Sequence, residues 1–146
     1  MFFLKDLPTR RMIESYSGHY DTDPDTIRDG LTLLRRASLL IRRLDAYFAR
    51  HGFSQLRFLF LIVIDRETDR DSLTVGEITE RLDVSGPVVA RTLRMLLDDG
   101  LVTKMTDEDD SRIRHIALTP EGRDRLTAIL PGYFRIIADE MDGKAP

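Results

Sequence analysis

Positions Ile27, Leu31, Leu34, Ser38, Ile41, Leu44 and Phe48 recur at three- and four-residue steps, the spacing that lines one face of an α-helix. The pattern predicts a long helix from Asp25 to Arg50, capped by Asp25 and stopped at Gly52, where a left-handed backbone is favoured. Ahead of it, residues 1–24 hold no sustained period, and Pro8, Gly18 and Pro24 interrupt them. Phe2, Phe3, Tyr16 and Tyr20 are nevertheless too apolar for a free tail. The expectation is an arm with one short helix, docked on its own or on a partner subunit. Ser54 is placed to cap a second helix through Ile64; its run Phe58–Ile64 is apolar on every side and marks the middle of a buried helix.

The polar stretch Asp65–Ser72 reads as a loop. Thr74 and Glu77 form a capping-box pattern for a third helix that turns Val75, Ile78 and Leu82 inward. Ser85 is expected to cap a fourth helix, in which the early Pro87 is tolerated because first-turn amides have no intrahelical acceptor. Gly100 ends it. Leu101–Met105 and Ile113–Leu118 alternate as two strands around a polar tip, Thr106–Arg112. Thr119-Pro120 opens a last helical stretch, which Pro131-Gly132 is expected to kink or divide, because proline removes a donor and collides with the preceding turn. Apolar positions continue at Phe134, Ile137, Ala138 and Met141.

Composition narrows the classes. The 146 residues fit one compact domain, and 42% hydrophobic with 32% charged residues describes an ordinary folded chain. With no cysteine there is no disulfide framework, thiolate metal site or thiol switch, which suits a reducing, cytoplasmic setting. The segment Met1–Leu4 is too short for a signal core, and the longest apolar run, seven residues, falls far below the ~20 that span a bilayer. No membrane partner is expected. His19, His51 and His115 lie far apart, no nucleophile pattern or glycine-rich phosphate loop accompanies them, and no metal-ligand spacing occurs, so neither an enzyme, a metal nor a cofactor is expected.

The net charge of −3 argues against a uniformly basic nucleic-acid binder, so any attraction for phosphate must come from a local patch. One is present. Between Ser85 and Leu97 there are two arginines and no acid. At 100° per residue Val89, Leu93 and Leu96 share one face of that helix, and Pro87, Arg91, Arg94 and Met95 share the opposite one. Such a helix fits the major groove, where arginine bonds guanine bidentately. A solvated arginine face on a packing helix would look the same.

The order of the pieces is more specific than any one of them. Leu73-Thr74-Val75-Gly76-Glu77-Ile78, Val84-Ser85 with Val89 and Arg91, Asp98-Asp99-Gly100-Leu101-Val102, and Asp110-Ser111-Arg112 followed by Leu118-Thr119-Pro120-Glu121-Gly122 together resemble the MarR (multiple antibiotic resistance regulator) family over about Phe53 to Leu126. The resemblance implies a mainly α fold with a small β-hairpin wing: a winged helix-turn-helix with a helical dimerisation region built from both termini. It implies an arm and dimerisation helix in 1–52, a DNA-binding lobe in 53–118 and dimerisation helices in 119–146. The wing's Arg112 would enter the minor groove and Asp110 would orient it. Ser85, Pro87, Val88, Arg91, Arg94 and Met95 would face the major groove.

The departures are specific. Ser111 stands where the family often has a basic residue, so Arg114 or His115 would have to supply that phosphate contact. Val88 and Ala90 stand where hydroxyl residues are common, although Val88 suits a thymine methyl. The tip also carries acids at 107–110, whose repulsion from phosphate must be offset. By resemblance the chain is a homodimer that reads a near-palindromic duplex and controls transcription, as a repressor released by a small aromatic or anionic effector. Arg43, Tyr47, His51, Arg57 and Phe60 are candidates to line the effector site; they also suit an ordinary interface. The acidic tip and low pI leave a second function class open, a winged-helix module that binds protein without reading DNA.

Overall fold

The computed structural model describes residues 2–144. In chain order it contains α1 (Arg10–Ser17), α2 (Pro24–Arg50), α3 (Gln55–Asp65), β1 (Ser72–Thr74), α4 (Val75–Arg81), α5 (Gly86–Asp98), β2 (Val102–Thr106), β3 (Arg114–Leu118) and α6 (Pro120–Met141). The chain forms two compact units: Met1–Ala46 with Ile136–Pro146, and Tyr47–Arg135. Among the described residues no helix is long and apolar enough to cross a membrane.

In the first unit the expected short helix of the arm is α1, capped by Thr9, whose hydroxyl accepts the Met12 N–H at 3.2 Å. The cap of α2 differs from expectation. Asp23, not Asp25, accepts from the Thr26 N–H and hydroxyl, at 2.9 and 2.8 Å, because Pro24 is preset for the first helical turn and moves the boundary back. Asp25 sits in that turn and pairs with Arg10 at 2.9 Å. The arm docks on its own α2. Ser38 and Arg42 each donate to the Phe2 carbonyl at 3.1 Å, and Arg35 donates to that of Leu4 at 3.1 Å. Glu140 receives Arg36 and Arg43, at 3.1 and 3.2 Å.

The second unit holds the larger core. The rings of Phe48, Phe58 and Tyr133 lie 4.6–5.8 Å apart, and Phe60, Leu61, Ile64, Leu73, Ile78, Leu96 and Ile116 are also fully buried. Ser54 caps α3 and Thr74 caps α4, as their spacing predicts. The sheet has three strands in the order β1-β3-β2, all antiparallel, with Ile116 of β3 opposite both Leu73 and Lys104. The hairpin expected from sequence is therefore joined by a third strand at its β3 edge. That strand spans three residues, too few to display an alternating pattern.

Helix α6 runs through Pro131 without a break, so of the expected kink or division the stretch is not divided there. Tyr47 packs against this segment: its hydroxyl donates to the Ile129 carbonyl at 2.7 Å. A Cβ on Gly132 would stand 2.3 Å from that hydroxyl, so the glycine is what admits the ring. A second close approach fixes the start of α6. Thr119 donates its hydroxyl to the Gly100 carbonyl at 2.7 Å and its N–H to that of Leu101 at 3.0 Å. A Cβ on Gly122 would lie 2.0 Å from the Leu101 oxygen.

Candidate nucleic-acid interface

Helices α4 and α5 and the β2–β3 hairpin all belong to the second unit. On α5, Val89, Thr92, Leu93 and Leu96 are buried while Pro87, Arg91, Arg94 and Met95 are exposed. The 3.6-residue repeat therefore splits the helix as its sequence predicts. Val88 is half-buried at the edge, and its carbonyl accepts the Thr92 hydroxyl at 2.9 Å. Among the described residues neither Arg91 nor Arg94 has a hydrogen-bond or ion-pair partner. Ser85 occupies the cap position, yet its side chain makes no capping bond. Ser85 is thus the cap residue expected, without the side-chain bond, and its exposed hydroxyl is left beside the first-turn amides, which have no intrahelical acceptor.

The wing is more ordered than a run of four acids suggests. Asp110 accepts from Arg112 three times: Oδ1 from the backbone N–H at 3.0 Å and from Nε at 3.1 Å, Oδ2 from Nη2 at 3.2 Å. The Arg112 side chain remains 88% exposed. Asp107 closes the turn by accepting the N–H groups of Asp109 and Asp110 at 2.9 and 3.0 Å. Its other oxygen bonds His115 Nε2 at 2.7 Å. Arg114 donates to the carbonyls of Ser111 and Ile113, so its guanidinium is engaged with the wing's own backbone.

These contacts set the electrostatics. The His115 bond, followed by the two backbone amides, holds the Asp107 carboxyl below the usual range. The Arg112 side chain, followed by its backbone N–H, does the same for Asp110. Two of the four tip acids thus have side-chain partners, leaving Glu108 and Asp109 exposed to solvent. Behind the wing, Thr74 accepts the Glu77 N–H at 3.2 Å. Partial desolvation raises the Glu77 carboxyl, but bonds and charge from Arg70 with bonds from Thr74 outweigh it and leave the group lowered.

The five residues considered for an effector are each engaged. Arg43 pairs with Glu140; Tyr47 bonds the Ile129 carbonyl; the His51 ring lies 4.6 Å from that of Tyr47. Arg57 pairs with Asp99 and stacks 4.6 Å over Phe53, and Phe60 is fully buried. Among the described residues no group of His, Cys, Asp or Glu is arranged to hold a metal ion. Sequence reasoning missed the roles of Asp107 and His115 in building the tip. An aspartate whose carboxylate lies two and three residues before amides it can bond is the signal for such a turn.

A helix-turn-helix with an exposed arginine face and a braced wing defines a winged-helix DNA-binding protein. Comparison with known proteins makes the class specific. The MarR family profile matches residues 51–113. The HTH-type transcriptional repressor YetL of Bacillus subtilis is 30% identical over 140 residues, covering 95% of this chain and 83% of that protein. Among solved structures, the MarR family regulator AbsC from Streptomyces coelicolor superposes with a TM-score of 0.74 at 20% identity, covering 86% of this chain and 83% of that one. Sco3205 from the same organism, a MarR family regulator solved in complex with DNA, gives 0.70 at 20% identity, covering 79% and 72%. The chain belongs to the MarR family. It is a DNA-binding transcriptional regulator and not an enzyme.

Proposed function

We propose that the chain is a homodimeric repressor that lays α5 in the major groove and Arg112 in the minor groove at each half of a near-palindromic duplex. The observation that carries this reading is the pairing, on one unit, of unpartnered exposed arginines on α5 with an exposed arginine whose orientation is already fixed. Bracing by Asp110 lowers the side-chain entropy that Arg112 loses on binding, and a narrow minor groove concentrates the negative potential that attracts it. The presence of DNA in the Sco3205 structure and the repressor role in YetL's name support the same reading.

The dimer is supported by the first unit's surface. Phe3, Leu33, Leu34, Ile41 and Met141 stand exposed there, Leu33 at 68%, on a unit whose own buried residues are few. Exposed apolar side chains in that number suit an association site, and two-fold symmetry would set two α5 helices about one helical turn apart.

Selection from a random duplex pool tests the proposal. It predicts enrichment of an inverted repeat with half-site centres about 10 base pairs apart, bound by two chains. No enrichment over unselected duplex would sink it and favour a protein-binding module, which the exposed acids Glu108 and Asp109 would suit.

A further inference from the structure

The Arg112 brace does not end at Asp110. Asp110 is held in turn by its backbone N–H on Asp107 Oδ1, and Asp107 Oδ2 is held by His115 Nε2. The turn is closed on both sides, from the Asp107 N–H to the Ile113 carbonyl and from the Ile113 N–H to the Asp110 carbonyl, each at 3.0 Å. His115 lies on β3, the central strand, opposite Met105 of β2 and Thr74 of β1. A continuous chain of bonds therefore runs from the most constrained strand of the sheet to the exposed guanidinium.

Resting on the DNA-binding reading above, we infer that His115, acting through Asp107, is a positioning residue for the Arg112 reader, and that its protonation tightens the wing on duplex DNA.

The imidazole sits among carboxylates. Asp107, Glu108 and Asp109 line one depression with Ser72, Met105, Thr106 and His115. Among the described residues no lysine or arginine lines it. From β1, Ser72 and Thr74 bring no charge, and the Thr74 hydroxyl is engaged with Glu77, itself paired to Arg70. Lys104 of β2 lies opposite Ile116 and so alternates to the other face. The cationic groups next in sequence are turned elsewhere, Arg112 to Asp110 and Arg114 to the Ser111 carbonyl.

Protonating His115 has two effects. It places charge on both partners of the bond to the Asp107 carboxylate, which strengthens it, and so stiffens the turn that presents Asp110 and Arg112. It also offsets one acid of a tip that must approach phosphate.

The test is a set of affinities for a pool-selected duplex at pH 6 and pH 8 and constant ionic strength. Wild type is compared with His115→Phe, His115→Gln, Arg112→Ala and the Arg112→Ala/His115→Phe double variant. Glutamine can still donate to Asp107 but cannot take a charge. The proposal predicts that wild type binds about 3- to 10-fold tighter at pH 6 than at pH 8 beyond any change in His115→Gln, the scale of up to one decade for a group that changes charge state. It predicts that His115→Gln matches wild type at pH 8, that His115→Phe is weaker at both, and that at pH 8 His115→Phe adds nothing once Arg112 is alanine. Full additivity with Arg112→Ala, or a pH profile unchanged in His115→Gln, would overturn it while leaving DNA binding intact. Failure of wild type to bind any duplex would overturn both readings together.

Discussion

Asp110 grips Arg112 with both carboxylate oxygens, at 3.1 and 3.2 Å, while leaving the guanidinium almost wholly in solvent. An exposed ion pair of this kind adds little to stability. Its consequence is orientation: a long, flexible side chain is held in one direction before any nucleic acid arrives.

Separating the reader from its brace follows from that geometry. Arg112→Ala is expected to weaken binding about 10- to 100-fold and to reduce the salt slope by about one phosphate's share. Asp110→Asn keeps the guanidinium and removes its anchor, so the loss should be smaller, about 3- to 10-fold, with the salt slope retained. Fluorescence anisotropy on a selected duplex distinguishes them. Equal losses for the two variants would contradict the division of roles.

The α5 face makes a different prediction. Arg91 and Arg94 are free among the described residues, and a bidentate contact to guanine discriminates by about 1–3 kcal/mol. Arg91→Ala should therefore relax preference at one base pair of each half-site, visible as a flattened column when the variant repeats the duplex selection. An unchanged base preference would remove Arg91 from the set of base readers.

Exposed leucines on α2 carry the dimer claim. Leu33 and Leu34 are both exposed in the isolated chain, so Leu33→Glu with Leu34→Glu costs the monomer little but places unpaired charge in the proposed interface. Sedimentation should show a monomer that retains native circular dichroism. A stable dimer would move the interface elsewhere.

Two glycines are predicted to be intolerant for steric reasons. Gly122→Ala drives a methyl group into the Leu101 carbonyl, and backbone cannot move aside as a side chain can. Overpacking of this kind costs about 1–3 kcal/mol, occasionally more. At Gly132 the obstruction is the Tyr47 ring, so Gly132→Ala should be partly rescued by Tyr47→Ala, although that variant also loses the bond to Ile129. Urea denaturation of the single and paired variants measures both. Stability of Gly122→Ala equal to wild type would contradict the packing described.

Acid should loosen the wing before the core. Asp107 and Asp110 are lowered by bonds made only in the folded tip. Their contribution is therefore complete above the ordinary carboxylate range of about 4 and is lost as pH falls through the depressed folded values. In an NMR titration the carboxyl carbons of Asp107 and Asp110 should show midpoints below the ordinary aspartate value. Midpoints at or above it would mean the bonds are not made in solution.

Most of this fold was legible because its periods are long and its caps chemical. Alternation of Val89, Leu93 and Leu96 with Arg91, Arg94 and Met95 assigned both faces of α5, and Asp110-Ser111-Arg112 marked the wing. What escaped was decided by contacts distant in sequence or by boundaries one or two residues wide. Strand β1 is too short to show a period, and its pairing partner lies over forty residues away. Pro24 moved the α2 cap from Asp25 to Asp23. Pro131 stayed within α6, where Gly132 admits the Tyr47 ring. Asp107 and His115 drew notice only as charges, since nothing local shows that a strand residue will reach back to a turn.

Everything turns on whether α5 and the wing engage phosphate-bearing DNA together. The direct measurement is the dependence of log affinity on log salt for wild type and for the Arg91→Ala/Arg112→Ala double variant on one selected duplex. Two readers per chain predict a linear fall for wild type, about −0.9 per neutralised phosphate, and a shallower slope with much weaker binding for the double variant. Coincident lines for the two proteins would contradict the account.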